Sequence, residues 1–480
     1  MKSAAQRPVP ATRHVVSIND LSDQDIQSVF EAAQGYLDTL GDRRLPHRLA
    51  KSSHVASGRI LATLFYEPST RTRLSFESAM LRLGGEVITS ADPATSSAAK
   101  GESLADSVRV ISSYADAIVI RHPRDGAARL AAEYSPIPVI NGGDGSHEHP
   151  TQTLCDVFTL KRKNKNLKKL NVAISGDLKG SRTIHSFVYA LARLGASIVP
   201  MPAPGMELPA HVDRRLREEF NCSFRPAKGA IGALYMTPDE PHQPALFADA
   251  DFEIDVKHAG ARSEQKIAAV YVTRFQKERW TDKDQAYPKI DAQFLKEPKY
   301  SQASVLHPLP RVGELDVSLD SDTRAVYFEQ AAYGVPVRMA LISLLLGLPD
   351  GPALETFPGG FAPAERPLYD HAFTEGLSCS NRNCIVHEPM EAPYVRNKFH
   401  VVRGEDGCRL RCLYCESDTE GFVVASRRNK WYADDPSLLL TEADHTLKDL
   451  VAFGDEAAAQ AAGYHPRQQA GTRRRSKPVS

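Results

Sequence analysis

Residues 59–85 constrain the fold of this chain more than any other stretch. Arg59-Ile-Leu-Ala-Thr-Leu-Phe-Tyr66 is apolar and rich in strand formers, whereas Leu74, Ala79, Met80 and Leu83 recur at helical spacing until Gly84-Gly85 ends the pattern. Between them, Phe65-Tyr-Glu-Pro-Ser-Thr-Arg-Thr-Arg-Leu-Ser-Phe76 forces the change from strand to helix into a few residues. Pro68 restricts Glu67 to extended backbone. Ser69, Thr70, Arg71 and Thr72 then bring hydroxyls, a guanidinium and unpaired N–H groups to a helix N-terminus. Such a turn receives a phosphate-sized dianion. Taken alone, S-T-R-T reads equally well as an N-cap with solvated arginines, so the surrounding pattern has to decide.

That pattern is a strand–helix alternation. Short apolar runs recur at Ala117-Ile-Val-Ile120, Ile137-Pro-Val-Ile140, Leu170-Asn-Val-Ala-Ile-Ser-Gly-Asp177, Ser197-Ile-Val-Pro200 and Ala268-Ala-Val-Tyr-Val272, with helical patterns among them. Alternation of this kind predicts parallel sheets with helices on both faces and ligands at the carboxyl ends of the strands. Arg121-His122-Pro123 falls at one such end, and Asn141-Gly-Gly-Asp-Gly-Ser146 leads from another into His149-Pro-Thr-Gln152. The Leu170 run opens a second domain that continues to His307-Pro-Leu-Pro-Arg311. Ahead of both, Ser22-Asp-Gln-Asp25 reads as a capping box for a helix carrying Ile26, Val29, Phe30, Ala33, Leu37 and Leu40.

A chain of 480 residues has room for two or three cores. Lys plus Arg and Asp plus Glu both number 59, so no global field steers the chain toward nucleic acid or membrane, and an anion site must be built locally. The first twenty residues lack an apolar signal region, and Met339-Ala-Leu-Ile-Ser-Leu-Leu-Leu346 is too short to span a bilayer. The expectation is a soluble, cytoplasmic protein. Of seven cysteines, Cys379-Ser-Asn-Arg-Asn-Cys384 and Cys412-Leu-Tyr-Cys415 form two short-spaced pairs 27 residues apart. In a chain without a secretion signal, such pairs predict a closed four-thiolate zinc site that folds a module too small for its own core. Cys408 and His387 lie nearby and leave the ligand choice partly open, and no interleaving of basic and aromatic residues points to nucleic acid.

Together, Ser69-Thr-Arg-Thr72, His149-Pro-Thr-Gln152 and His307-Pro-Leu-Pro-Arg311 resemble the signature set of the carbamoyltransferases. Glu67-Pro68 and Pro308 resemble the aspartate rather than the ornithine branch, and the likeness runs from about Val15 to Leu348. It implies two doubly wound parallel-sheet domains: residues 1–149, completed by a returning helix at 325–348, for carbamoyl phosphate, and residues 150–324 for aspartate. It also implies roles. Ser69, Thr70, Arg71 and Thr72 would hold the phosphate; Thr72, Arg121 and His149 the carbamoyl oxygen; Gln152, with the carbonyls of Pro308 and Leu309, the carbamoyl amide. Arg182, Arg274 and Gln276 match the aspartate-binding positions. Ser96 and Lys100 align with a loop that reaches a neighbouring subunit's site, which makes at least a homotrimer necessary for activity. The stretch between Phe224 and Ala268 departs from the family pattern, and the loop bearing on aspartate is expected to be lengthened or rearranged there.

Cys379 to Glu416 resembles the zinc domain of the regulatory chain of the same family, in which it links catalytic trimers. The expected order is a Pro/Gly-rich linker at 349–372, a zinc-ribbon-like β domain at 373–425 with Cys379, Cys384, Cys412 and Cys415 as ligands, and a polar, loose tail at 426–480. The nucleotide-binding domain of a regulatory chain would need roughly a hundred residues, which the linker does not offer. The expected activity is carbamoyl transfer from carbamoyl phosphate to L-aspartate in pyrimidine synthesis. The alternatives are transfer to another amino acid such as ornithine, or a non-catalytic scaffold.

Overall fold

The computed structural model describes residues 13–42, 47–91, 97–164, 166–168, 170–220, 222–225, 253–256, 266–277, 287–348, 377–404, 407–433 and 450–467. The expected linker at 349–372, Ser96 and most of the divergent stretch 225–267 lie outside these residues. The chain divides into two compact units, residues 1–364 and 365–480.

In the first unit, helix α1 (Asp23–Leu40) starts at the expected capping box: Ser22 Oγ accepts from the Asp25 N–H while the Asp25 carboxylate accepts from the Ser22 N–H. It is followed by β1 (Ile60–Phe65), α2 (Thr70–Arg82), β2 (Glu86–Ser90), α3 (Leu104–Ile111), β3 (Ala117–His122), α4 (Ala127–Tyr134), β4 (Val139–Asp144) and α5 (Pro150–Lys163). These strands form an all-parallel sheet in the order β2-β1-β3-β4. The apolar runs of β1, β3 and β4 are buried because helices cover both faces, whereas edge strand β2 is largely exposed.

A second sheet is built from β5 (Asn171–Gly176), α6 (Arg182–Arg193), β6 (Ser197–Pro202), α7 (Ala210–Glu218), β7 (Cys222–Arg225), β8 (Glu253–Val256), β9 (Ile267–Val272) and β10 (Ser304–Leu306). Its order is β10-β9-β5-β6-β8-β7. The first four strands of that order are parallel, but β8 runs antiparallel to both β6 and β7. The doubly wound core thus carries a mixed edge. Helix α8 (Tyr327–Leu345) then returns to the first sheet and packs on α1, α2 and α5, where Tyr36 OH lies 2.7 Å from Ser343 Oγ. Its residues are apolar nearly all round, as burial on several sides demands.

The sheet orders fix where ligands can sit. The chain leaves β1 toward β2 on one side and comes back to β3 on the other; likewise β5 is followed by β6 on one side and flanked by β9 on the other. Both sheets therefore have a switch point that opens a crevice at the carboxyl ends of β1/β3 and of β5/β9.

In the second unit, β11 (Phe399–Gly404), β12 (Gly407–Cys412) and β13 (Asp418–Thr419) form an antiparallel sheet. Beyond it the structure corrects the expectation of a loose tail. Strands β14 (Val423–Ser426), β15 (Trp431–Ala433), β16 (Leu450–Phe453) and β17 (His465–Pro466) pair in the order β16-β14-β15-β17, with helix α9 (Glu456–Ala461) capped by Asp455. Val423, Ala425, Tyr432, Val451, Phe453, Ala459 and Tyr464 form their own core. The strands are two to four residues long, too short to show a period against a polar background. Phe453→Ala should remove about 3 kcal/mol or more from this small sheet, seen as accelerated amide exchange across β14, β15 and β16 with the protection of β1–β6 unchanged.

Candidate active site and metal centre

Six chain segments end at or beside the switch points of the first unit. Ser69 is the N-cap of α2, with extended backbone and no side-chain capping bond, so neither its hydroxyl nor the first N–H groups of the helix are spent on a local cap. Thr70 and Arg71 are exposed and Thr72 is buried. The Arg71 pKa is lowered by partial burial and then by the charge of Arg274. Two guanidiniums near enough to oppose each other's charge make a site that an anion relieves.

Arg121, at the end of β3, donates to the Gly142 carbonyl at 3.2 Å and to Glu67 Oε1 at 2.7 Å. Arg182, the first residue of α6, donates to the same carboxylate at 2.5 and 3.1 Å and to the Gly145 carbonyl at 2.8 Å. One carboxylate thus joins the end of the first sheet to the first helix after β5. Gly143 makes the arrangement possible: its φ is +110°, and a Cβ there would lie 3.0 Å from Arg182 Nε and 3.1 Å from Arg121 Nη1.

His149 is the N-cap of α5 and Pro150 its first residue, where the missing N–H costs nothing. Its Nδ1 accepts from the Gln152 N–H at 3.4 Å, which leaves the proton on Nε2, and Nε2 lies 3.4 Å from Thr72 Oγ1. Burial, reinforced by Arg121, Arg182 and Arg338, holds the His149 pKa well below the usual imidazole value. At neutral pH it is an uncharged N–H donor. Gln152, one turn into α5, donates from Nε2 to Asp156 Oδ1 at 2.7 Å.

From the second sheet, Arg274 and Gln276 follow β9; Arg274 donates to the Phe275 carbonyl at 3.2 Å, and the Gln276 N–H to Asp177 Oδ2 at 3.4 Å. Pro308 and Leu309 form the turn after β10. Leu309 has a φ of +54°, a left-handed conformation costing about 1–2 kcal/mol. His307 holds it there: Nδ1 accepts from the Leu309 N–H at 2.8 Å while Nε2 donates to buried Glu314 at 2.7 Å. Lys100 ends an exposed 3₁₀ turn at Ser97–Lys100. The residues to which sequence reading gave no role are Glu67, Asp156, Asp177 and Glu314, each an acidic partner of one of the expected site residues or of the turn that bears it. Only Glu67 carried a signal, its place between a strand end and Pro68.

The second unit holds Cys379, Cys384, Cys412 and Cys415, all buried, with their sulfurs within 4.8 Å of one another. Cys379 Sγ is 3.5 Å from Cys415 Sγ, and Cys384 Sγ is 3.8 Å from Cys412 Sγ. A tetrahedron with metal–sulfur bonds of about 2.3 Å has edges of about 3.8 Å, so the set fits a four-coordinate metal. Four thiolates can share this space only around a cation. His387 is occupied otherwise, its Nε2 2.8 Å from the Cys379 carbonyl. Stripping the metal with a chelator should make all four thiols reactive and abolish amide protection in β11–β13, with the first unit's protection retained.

Among the described residues, no helix is long and apolar enough to cross a membrane. Comparison with known proteins gives three family matches: "Aspartate/ornithine carbamoyltransferase, carbamoyl-P binding domain" at residues 13–162, "Aspartate/ornithine carbamoyltransferase, Asp/Orn binding domain" at 236–345, and "Aspartate carbamoyltransferase regulatory chain, metal binding domain" at 373–424. The aspartate carbamoyltransferase catalytic subunit of Picrophilus torridus is 44% identical over 342 residues, 69% of this chain and 98% of the relative. That of Methanocaldococcus jannaschii is 42% identical over 338 residues, 70% of this chain and 98% of the relative. Among solved structures, the M. jannaschii catalytic subunit superposes with a TM-score of 0.56 at 39% identity, over 71% of this chain and 100% of the other. The Trypanosoma cruzi aspartate transcarbamoylase in complex with carbamoyl phosphate gives 0.54 at 29% identity, over 70% and 98%. The strand orders, the cationic crevice and these matches agree, and the chain belongs to the aspartate carbamoyltransferase family.

Proposed function

We propose that the chain transfers the carbamoyl group of carbamoyl phosphate to the amine of L-aspartate, giving N-carbamoyl-L-aspartate and phosphate in pyrimidine synthesis. The observation that carries this reading is the convergence of Arg71, Arg121, Arg182, Arg274 and a neutral, N–H-donating His149 at the two switch points. In this reading Ser69, Thr70, Arg71 and Thr72 grip the phosphate. Thr72, Arg121 and the Nε2–H of His149 meet the carbonyl oxygen, where donors stabilise the oxyanion of a tetrahedral intermediate. Gln152 and the carbonyls of Pro308 and Leu309 accept from the carbamoyl amide. Arg182, Arg274 and Gln276 take the two carboxylates of aspartate.

The attacking amine loses its proton to the departing phosphate, so the residues supply orientation and electrostatics without a covalent enzyme intermediate. A depressed His149 pKa suits this role, because a charged imidazolium beside Arg121 and Arg182 would itself be destabilised. Glu67 pairs with Arg182, so in this reading a dicarboxylate entering the crevice meets a cation already oriented.

The assembly we infer is at least a homotrimer in which Ser96 and Lys100 serve a neighbour's site. Exposed Leu74 and Leu81 on α2 and Ile88 on the neighbouring edge strand β2 support an interface at that edge of the first sheet. We assign zinc to the four-thiolate centre, since soft sulfur ligands in a closed tetrahedral set suit that ion. In this assignment it is structural, and the module that it folds links trimers into a larger homo-oligomer. The reading places the protein in the cytoplasm, without nucleic-acid or membrane partners.

The test is turnover of the metal-loaded protein with carbamoyl phosphate and either aspartate or ornithine, detected as ureido product. Aspartate alone should be carbamoylated, and succinate, which lacks the amine, should compete with it. Arg71→Ala and His149→Ala should each lower kcat by about 100- to 1,000-fold. Turnover with ornithine would favour the alternative acceptor, and turnover with neither the scaffold.

A further inference from the structure

Asp156 lies on α5, one turn beyond Gln152, and none of its surface reaches solvent. Three neutral donors converge on it: Gln152 Nε2 at 2.7 Å and Gln330 Nε2 at 2.6 Å, both on Oδ1, and Tyr271 OH at 2.8 Å on Oδ2. Gln330, on α8, spends its other amide atom as well, Oε1 accepting from the His307 N–H at 2.8 Å. Tyr271 lies on β9, three residues before Arg274. One carboxylate therefore reaches Gln152, the turn that bears Pro308 and Leu309, and the strand that leads to Arg274. The reaction assigned above uses none of its oxygens.

An ionised carboxylate has only acceptors. A glutamine packed against it must present –NH₂ inward, and its oxygen is then the atom left to face the crevice. We propose that Asp156 is a positioning residue that fixes the amide sense of Gln152 and, through Gln330, the backbone of the Pro308–Leu309 turn, so that the carbamoyl –NH₂ meets acceptors alone. The device would select a carbamoyl over an acyl group of the same shape, because the inward-facing acceptors reward a donor and are left unpaired by a methyl group. The inference rests on the assignment of Gln152 to the carbamoyl amide made above.

Burial raises the Asp156 pKa to about 6 against the pull of its three hydrogen bonds and of Arg338. It is ionised at neutral pH and becomes a donor below about pH 6. Of the other titratable groups facing it or its partners, burial pushes the Cys155 thiol to about 11 and Tyr271 of β9 higher than usual, keeps His149 of α5 neutral, and lowers the pKa of His307, whose N–H meets Gln330.

The probe is acetyl phosphate, which carries a methyl group in place of the amino group, measured as a competitor of carbamoyl phosphate. The readout is the affinity ratio between the two, which a general loss of stability does not move. Asp156→Asn replaces a charged acceptor by a neutral amide that can itself donate, Tyr271 OH being able to accept, so the hold on the inward –NH₂ of Gln152 is weakened. The ratio should fall about tenfold. In the native protein it should be constant above pH 7 and fall through about pH 6, the two acyl phosphates having the same phosphate titration to cancel; in Asp156→Asn it should not change with pH. Gln152→Leu separates the two layers of the argument. If that substitution lowers the ratio while Asp156→Asn and the native pH profile leave it unchanged, the positioning role is overturned and the placement of Gln152 stands. If Gln152→Leu leaves the ratio unchanged, that placement falls and the inference falls with it. Should Asp156→Asn fail to fold, the native pH profile alone decides, a flat ratio overturning the proposal.

Discussion

The carboxylate of Glu67, shared by Arg121 and Arg182, is the interaction on which the crevice depends. Three elements that are remote in sequence end within bonding distance of it: the strand that carries the Ser69–Thr72 turn, the strand that ends in Arg121, and the helix that opens with Arg182. Guanidiniums crowded at one place repel, and a single anion that Arg182 binds through two nitrogens and Arg121 through one converts the repulsion into order. Strong ion pairs of this kind are poor evidence of stability, because desolvation offsets much of the Coulomb gain. Their use here is geometric. Arg121 and Arg182 are held in fixed orientations at the ends of their elements.

The same economy recurs around other groups of the crevice. His149 is oriented by an N–H of its own helix, the Leu309 turn by His307 and Glu314, the loop before Gln276 by Asp177, and Gln152 by Asp156. Each of these groups is held by a hydrogen-bonding partner behind it. A site held in this way loses little entropy when ligand binds, and the magnitude at stake for each misoriented donor in an oxyanion site is about 3–4 kcal/mol.

How much of this was legible in the sequence divides along a physical line. Strand–helix alternation with apolar runs gave the two sheets, because parallel strands buried on both faces leave an unmistakable trace, and the turn from Phe65 to Thr72 announced itself through Pro68 and its helix-terminal hydroxyls. The paired cysteines were equally plain, since metal ligation leaves little freedom in spacing. The partners behind the site were not legible. Asp156 and Glu314 look in sequence like ordinary surface acids, and only tertiary packing reveals that they are buried. The strands at Trp431–Ala433 and Leu450–Phe453 escaped for a different reason: their stability comes from pairing and from a small shared core, neither of which a window of three or four residues can display.

Helix α8 gives the protein a particular history at the ribosome. The apolar faces of α1, α2 and α5 are closed by residues 327–345, so the first domain cannot complete its core until the whole second sheet has been synthesised. At about 5–20 residues per second, the interval between the end of α5 and the emergence of α8 is on the order of ten to thirty seconds. During it, a half-covered parallel sheet must wait with its ligand turns formed and its back open. The thiolate module emerges only after that closure, so metal capture follows the completion of the domain that precedes it in the chain.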